Sequence, residues 1–117
     1  MADQLTEALG SFVALCHHVR STRDLVSKVR IELERDYVFD LYFRETTGQY
    51  SYTLLQNDRR VLGWDNAKHH PDLQNAPHHF HNPEGGVESS TLTGTPVEDI
   101  KIVADKINEF FKSTSVE

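Results

Sequence analysis

The chain has 117 residues, a formal net charge of −6 and a single cysteine, Cys16. This length fits one domain with one core, and a lone thiol excludes an internal disulfide framework and a cysteine-based structural zinc site. The acidic balance argues against a protein that coats nucleic acid through a broad basic surface. No apolar run approaches the roughly 18 residues that span a bilayer, and the opening M-A-D-Q-L-T-E lacks the basic region of a signal peptide. We therefore expect a cytoplasmic protein without a membrane partner.

The first predicted element is an amphipathic helix from about residue 3 to residue 20. Asp3 can cap its amino terminus, and apolar residues recur at helical spacing: Leu5, Leu9, Phe12, Val13, Cys16 and Val19. His17 and His18 lie near the predicted carboxyl end, where the helix dipole favours a protonated imidazole. This position favours a capping role for the pair, followed by a polar connection from Arg20 to Asp24.

An antiparallel meander of about four strands is predicted between about residues 27 and 65. Apolar and polar residues alternate from Val29 to Leu33 and again from Tyr37 to Arg44, so each set lies on one face of a sheet. Residues 50–56 are rich in aromatic and β-branched side chains, and residues 60–65 form the fourth short strand. Period-two alternation of this kind is typical of an antiparallel sheet with one covered face.

A second helix is predicted from about residue 96 to residue 112. Thr95, Pro96 and Glu98 combine a threonine N-cap, a proline at the first helical position and a glutamate at the third, which is a capping box. The polar segment before it is predicted to be flexible and to contribute no core. Together the elements predict one α+β domain over residues 1–117, with the meander packed against an amino-terminal and a carboxyl-terminal helix.

A histidine-rich loop runs from Trp64 to His81 and reads W-D-N-A-K-H-H-P-D-L-Q-N-A-P-H-H-F-H. It holds five of the seven histidines, and Pro71 and Pro77 stiffen the backbone beside each histidine pair. The fixed charges from Arg59 to His81 sum to +1, from three basic and two acidic residues. Because the unperturbed pKa of histidine lies close to neutral pH, the cluster indicates proton transfer or metal ligation. A rigid surface loop whose histidines cap backbone groups is the alternative.

Two imidazoles on opposite sides of a phosphodiester can cleave RNA without a metal. One takes the proton of the 2′-hydroxyl, the other protonates the leaving 5′-oxygen, and a cation stabilises the phosphorane. We therefore predict metal-independent ribonuclease chemistry with no cofactor. The catalytic candidates are His69, His70, His78, His79, His81 and Lys68, and the substrate-binding candidates are Trp64, Arg59, Arg60 and Phe80. Neighbouring side chains of an extended segment point to opposite sides, so we expect one histidine of each pair to face the site, with His81 beside His79.

Several residues of the loop allow a second interpretation. Imidazole is a common ligand for zinc, nickel or copper, and Asp65 or Asp72 could add a carboxylate, although the spacing H-H-x7-H-H-x-H matches no diagnostic zinc signature. Trp64 and Phe80 could stack on an unpaired base or anchor the loop to the core. Asp65 and Asn66 are expected to form an Asx turn, and Asp65 could also orient a histidine.

The motif W-D-N-A-x-H-H-P followed by P-H-H-x-H resembles the TumE family of small prokaryotic toxins in toxin–antitoxin systems. It is carried by Trp64, Asp65, Asn66, Ala67, His69, His70, Pro71, Pro77, His78, His79 and His81. The resemblance is strongest from about Tyr50 to His81. It implies a toxin with ribonuclease activity, RNA as its substrate, and a cognate antitoxin that carries a helix-turn-helix DNA-binding domain.

A binding module without enzymatic activity is the alternative from another functional class. In that case the histidine loop, or the tyrosines predicted to lie exposed on the sheet, would hold a partner protein or a second copy of the chain as a homodimer. These tyrosines are Tyr42, Tyr50 and Tyr52. Catalysis requires loop histidines with separated pKa values near neutral pH, whereas binding does not.

Overall fold

The computed structural model describes residues 3–114 of the protein. Its helices are α1 (Gln4–Leu15) and α2 (Pro96–Ser113). Its strands are β1 (Val19–Asp24), β2 (Val29–Leu33), β3 (Tyr37–Phe43), β4 (Tyr50–Gln56), β5 (Arg59–Asp65), β6 (His79–His81) and β7 (Val87–Ser89). A 3₁₀ turn, Glu34–Asp36, links β2 to β3. Within the described residues, neither helix is long and apolar enough to cross a membrane.

The strands form one antiparallel sheet in the order β1 to β7, so each strand pairs with its neighbours in sequence. The predicted α+β class, with an antiparallel meander and a helix near each end, is confirmed. The predicted number of about four strands is wrong, because the sheet has seven strands within residues 3–114. The three additional strands are β1 at one edge and β6 and β7 at the other.

The difference at β1 arises where the first helix was predicted to continue to about residue 20. The helix ends at Leu15, and Cys16 already has an extended backbone with φ −83° and ψ 128°. Val19 and Thr22 then pair with Leu33 and Ile31 of β2. Valine and threonine are β-branched residues that favour strands over helices. Strands β6 and β7 have three residues each, which is too short to show an alternating pattern.

Both helices cover the same face of the sheet and bury its apolar side chains. Phe12 of α1 stacks on Phe39 of β3, with ring centroids 4.9 Å apart. An apolar stripe of α2 is buried, formed by Ile100, Val103, Ala104, Ile107 and Phe111. Asn108 joins the two helices, since its side-chain nitrogen donates to the Leu15 carbonyl and its oxygen accepts the His17 N–H. One face of the sheet therefore lies in the core and the other remains open.

Two expectations about exposure are wrong. Tyr50 and Tyr52 were expected on an exposed surface, but each is only 1% exposed, and their rings stack with centroids 4.8 Å apart under the helices. The segment before α2 was expected to contribute no core, yet Leu92 is 1% exposed. Tyr42, which alternates with the buried residues of β3, is partly exposed. The tyrosines of β4 occupy the core face because aromatic residues supply much of its apolar area.

Local contacts at two helix ends also differ from the sequence interpretation. Thr95 is the N-cap of α2, but its side chain makes no capping hydrogen bond. The buried Asp99 carboxylate instead accepts the N–H groups of Thr93 and Gly94. His18 does not cap α1, since that helix has ended, and its ring stacks on Phe111 at a centroid distance of 4.4 Å.

Candidate functional site

Strands β5 and β6 place three polar side chains on the open face of the sheet. Asp65 is the Cα partner of His79, and His81 follows two residues later on the same side. Trp64 precedes Asp65 on β5, and Phe80 lies between His79 and His81 on β6. Both side chains point to the core face and are only 4% and 6% exposed. The period-two geometry therefore puts an apolar anchor directly behind a polar cluster. We call Asp65, His79 and His81 the triad.

The loop between β5 and β6 is tied down at several points. The Asp65 carboxylate accepts the Ala67 N–H at 2.9 Å, which is the predicted Asx turn. Asn66 accepts the Tyr50 N–H and donates to the Gly48 carbonyl, and so fixes the loop to the turn before β4. Asn75 donates to two carbonyl groups of the segment that precedes α2, those of Ser90 and Leu92. These bonds hold the loop over the open face beside the triad.

The ligand-type atoms of the triad lie close together. His79 Nε2 is 2.9 Å from Asp65 Oδ1 and 3.1 Å from His81 Nε2, while His81 Nε2 is 3.3 Å from Asp65 Oδ2. His79 is 2% exposed, whereas the side chains of His81 and Asp65 are 16% and 20% exposed. The cluster is therefore anchored by a buried imidazole and reached from solvent through the other two groups.

A backbone carbonyl determines which nitrogen of His79 carries a hydrogen. The Pro77 oxygen can only accept, so His79 Nδ1, 3.0 Å away, donates to it. In a neutral His79 ring, Nε2 is then an acceptor, and it faces the Asp65 carboxylate. Two acceptors 2.9 Å apart repel each other, so this contact needs a shared proton or a bound metal ion between the two atoms.

The triad forms part of a groove of about 450 Å³. The groove is lined by Gln49, Tyr50, Ser51, Arg60, Asp65, Ala67, His69, His70, His79 and His81. Burial lowers the pKa of His81, and the charge of Arg60 lowers it further, while the nearby Asp65 carboxylate acts in the opposite direction. The net effect favours neutral His81, the form that can accept a proton or bind a metal.

The structure separates the predicted catalytic histidines into two sets. His70, His79 and His81 lie together, with ring centroids 4.8 Å apart for His70 and His79, 6.3 Å for His70 and His81, and 4.9 Å for His79 and His81. His78 points to the other side, where its Nδ1 shares a 2.9 Å hydrogen bond with the Tyr50 hydroxyl. His69 is exposed at the rim of the groove. One member of each pair thus lies beside His81. The strand geometry of residues 79–81 explains the common side of His79 and His81, whereas a turn separates His69 from His70.

The other predicted residues are placed differently. Arg60 lines the groove, whereas Arg59 and Lys68 are exposed side chains that are not among its lining residues. Trp64 and Phe80 pack against each other in the core with ring centroids 4.9 Å apart. Their burial fits the anchoring role and leaves no ring face in the groove for a base. The functional roles of the groove residues stay predictions.

Gln49 and Ser51 also line the groove and were not predicted from the sequence. Ser51 is the Cα partner of Asp65 across the β4–β5 hairpin. The Asn57–Asp58 turn alone would pair Ser51 with Trp64, and the register shift between Leu54 and Leu55 is what brings Ser51 opposite Asp65. Gln49 lies in the turn before β4, where no comparable pattern points to it.

Comparisons with known proteins identify the family. The family model described as Toxin TumE matches residues 11–113, which include all seven described strands and the histidine-rich loop. No curated protein and no solved structure matches the chain. The family description supports a toxin role and, in general terms, an antitoxin as partner. The predicted family is confirmed, and the chain belongs to the Toxin TumE family.

Proposed function

We propose that this toxin is a ribonuclease that cleaves RNA in the groove beside the triad. The observation that supports the proposal is the convergence of His70, His79 and His81 with Asp65 and Arg60 at one groove. Imidazoles and a guanidinium are the groups that phosphodiester cleavage requires. The groove lies on the sheet face that the helices leave open, where a strand of RNA can approach.

The reaction needs a group that takes the 2′-hydroxyl proton, an acid for the 5′-oxygen and a cation near the phosphorane. His79 and His81 touch through nitrogens 3.1 Å apart, so no phosphate fits between them. The rings of His70 and His81 are separated by 6.3 Å, and these two imidazoles are the pair that can flank a phosphate. Arg60 lies near His81 and is the exposed cation of the groove. In this proposal Asp65 holds His79, which in turn supports His81.

The partner in this proposal is a helix-turn-helix antitoxin that neutralises the toxin. The groove is the surface on which inhibition would be most direct, because a protein bound there excludes RNA. The alternative function is a binding module or homodimer that uses exposed tyrosines. Two of the three tyrosines, Tyr50 and Tyr52, are buried and cannot form such a surface. Tyr42 and the loop remain as its possible contacts.

Growth and RNA integrity after induced expression test the proposal. Wild type, His81→Ala and the control variant His17→Ala are compared, because His17 is exposed and belongs to α1's end, away from the groove. Circular dichroism shows whether each purified variant is folded. We expect wild type and His17→Ala to arrest growth with RNA fragmentation, and folded His81→Ala to do neither.

Two results contradict the proposal. Growth arrest by wild type with intact RNA at early times would show a toxin that acts by another route. Equal RNA fragmentation by wild type and His81→Ala would place the reaction outside the groove. Incubation of each purified protein with a defined single-stranded RNA separates direct cleavage from cleavage by a cellular nuclease.

A further inference from the structure

The ligand-type atoms of the triad have spacings close to those of atoms bound to one metal ion. Metal–nitrogen and metal–oxygen bonds of about 2.1 Å at angles of about 90–109° place two ligand atoms about 3.0–3.4 Å apart. Here the two Nε2 atoms are 3.1 Å apart, His79 Nε2 is 2.9 Å from Asp65 Oδ1, and His81 Nε2 is 3.3 Å from the other carboxylate oxygen, Oδ2. All the offered ligand atoms lie within 4.8 Å of one another.

The triad is also held as metal ligands usually are. A metal-bound histidine commonly donates its other ring N–H to a carbonyl or carboxylate, which fixes the tautomer and the ring orientation. His79 does this through Nδ1, which donates to the Pro77 carbonyl at 3.0 Å. The Asp65 carboxylate is oriented by the Ala67 N–H, and the Asp65–His79 pair lies on adjacent strands rather than on a loop. The ligands therefore need little rearrangement to bind an ion.

The charge of Asp65 is not balanced by a fixed cation. Within residues 3–114, no lysine or arginine nitrogen forms an ion pair with its carboxylate, whose only charged-type partners are the imidazoles of His79 and His81. A carboxylate oxygen and the acceptor nitrogen of His79 are unfavourable in contact unless a proton or a metal ion lies between them. A divalent ion fills that position and can also bind His81 Nε2 in the tautomer that carries its hydrogen on Nδ1.

We infer that Asp65, His79 and His81 bind one divalent transition-metal ion, of which Zn²⁺ is the representative. Two imidazole nitrogens and one carboxylate oxygen suit zinc and its neighbours, whereas magnesium and calcium take oxygen ligands almost alone. Three protein ligands leave at least one coordination position open, as in catalytic rather than structural zinc sites. The exposed side of the triad faces the groove, so the open position is directed toward it.

This inference concerns binding and does not depend on the ribonuclease proposal. It changes how the groove would act if both hold, because an imidazole nitrogen that binds a metal cannot also take a proton. The ion would then activate water or stabilise the phosphorane, and His70 and Arg60 would remain as the free imidazole and the phosphate contact. Such a ribonuclease would depend on the metal, in contrast to the metal-independent chemistry predicted from the sequence.

Calorimetric titration of the chelator-stripped protein with Zn²⁺ tests the inference in the absence of RNA. Wild type is expected to bind one ion per chain. Asp65→Asn and His81→Ala are expected to weaken binding by about tenfold or more, the scale seen when even supporting contacts of a metal site are lost. Asp65→Asn keeps an oxygen for the Ala67 N–H, so the Asx turn can persist. His17→Ala and Asp58→Asn are the matched controls, because both residues are exposed and neither lines the groove.

Thermal unfolding gives a second readout, since a ligand that binds only the folded state raises the melting temperature. Zn²⁺ should raise the melting temperature of wild type and of both controls, and should leave that of Asp65→Asn unchanged. Mg²⁺ at the same concentration should have no such effect. Co²⁺ provides an absorption spectrum in which nitrogen and oxygen ligation is visible.

Absence of a one-to-one titration in wild type overturns the inference, as does equal Zn²⁺ binding by wild type, Asp65→Asn and His81→Ala. Failure of this inference can be told from failure of the ribonuclease proposal. If the chelator-stripped wild type binds no zinc but cleaves RNA, only the metal site is contradicted. A protein that binds zinc at the triad and leaves RNA intact contradicts the ribonuclease alone.

Discussion

Two aspartates on the open face of the sheet have different surroundings. Asp40 on β3 accepts two hydrogen bonds from Arg30, at 2.8 and 2.9 Å, and lies 3.0 Å from the Lys28 ammonium. Within residues 3–114, the polar partners of the Asp65 carboxylate on β5 are two imidazoles and the Ala67 N–H. The charge of the Asp40 carboxylate is balanced by its ion pairs, whereas the Asp65 carboxylate needs a proton or a metal ion at its contact with His79. A carboxylate whose charge is balanced by ion pairs contributes to the stability of the fold, whereas a carboxylate without such partners indicates a functional site.

The largest expected effect comes from breaking the Asp40 ion pairs. Asp40→Asn leaves Arg30 and Lys28 without their counter-charge, and we expect it to lower the free energy of unfolding by about 2–3 kcal/mol, less than for a fully buried pair because the two cations are 30% and 37% exposed. Urea denaturation measures the change. Glu32→Gln is the control, because its ion pair with Arg23 is exposed and its loss should cost at most about 1 kcal/mol. Equal costs for the two variants would contradict the structural role of Asp40.

Gly63 lies on β5 two residues before Asp65, opposite Thr53 of β4, and is tightly enclosed. A Cβ atom there would lie 3.0 Å from the Tyr52 backbone oxygen and 3.4 Å from the Thr53 Cα. Gly63→Ala must therefore shift strand backbone, and we expect it to lower the free energy of unfolding by about 2 kcal/mol. Gly10→Ala in α1 is the matched control, since nothing lies within 4 Å of its Cβ position and alanine favours helix by up to about 1 kcal/mol. Changes of opposite sign are expected in the same urea assay.

Substitution of His78 tests whether a histidine of the loop stabilises the fold, as Asp40 does. His78→Ala removes the partner of the buried Tyr50 hydroxyl, and the expected cost is about 1–2 kcal/mol. A double-mutant cycle with Tyr50→Phe measures the interaction, because the cost of His78→Ala should fall once the hydroxyl is gone. Additive costs would show that the hydrogen bond contributes little to stability.

Acid should weaken the Asp40 region over a defined pH range. Burial alone raises the pKa of Asp40, but the hydrogen bonds and charges of Arg30 and Lys28 outweigh it and hold this pKa below its usual value. The stability that follows is present above the unfolded pKa of about 4 and is lost as pH falls through the lower folded value. The stability difference between wild type and Asp40→Asn should therefore shrink below about pH 4. A difference that stays constant down to pH 3 would contradict the ion-pair assignment.

The smallest effect on stability is expected at Asp65. Asp65→Asn in chelator-stripped protein should change the free energy of unfolding by less than about 0.5 kcal/mol, because the amide keeps an oxygen for the Ala67 N–H and its NH2 group can donate to His79 Nε2. Urea denaturation without metal tests this value beside Asp40→Asn. A loss as large as that of Asp40→Asn would remove the distinction between the two aspartates.

The sequence predicted what depends on local pattern. The alternation in Val29–Leu33 and Tyr37–Phe43, the stripe of α2 and the loop motif all carry their signal within a few residues. The alternation expected of an extended segment also placed His81 beside His79, but it left open which member of the His69–His70 pair joins them. The local sequence pattern could not predict β6 and β7, because their pairing is decided by neighbouring strands. It also could not predict the burial of Tyr50, which depends on the face of the sheet that the helices cover. The contact between Asp65 and two imidazoles likewise depends on the β5–β6 register.

The order of the strands has a consequence for how the chain folds. Because each strand pairs with the one before it, the sheet can grow by successive hairpins, each closing a short loop. The contact of Asn108 with His17, 91 residues apart, is different, since it joins the helices near opposite ends of the described chain. The entropic cost of closing this long loop is lower once the hairpins have formed, because they shorten the distance between its ends. Helix docking is thus the step at which folding becomes global, and the triad can assemble before it.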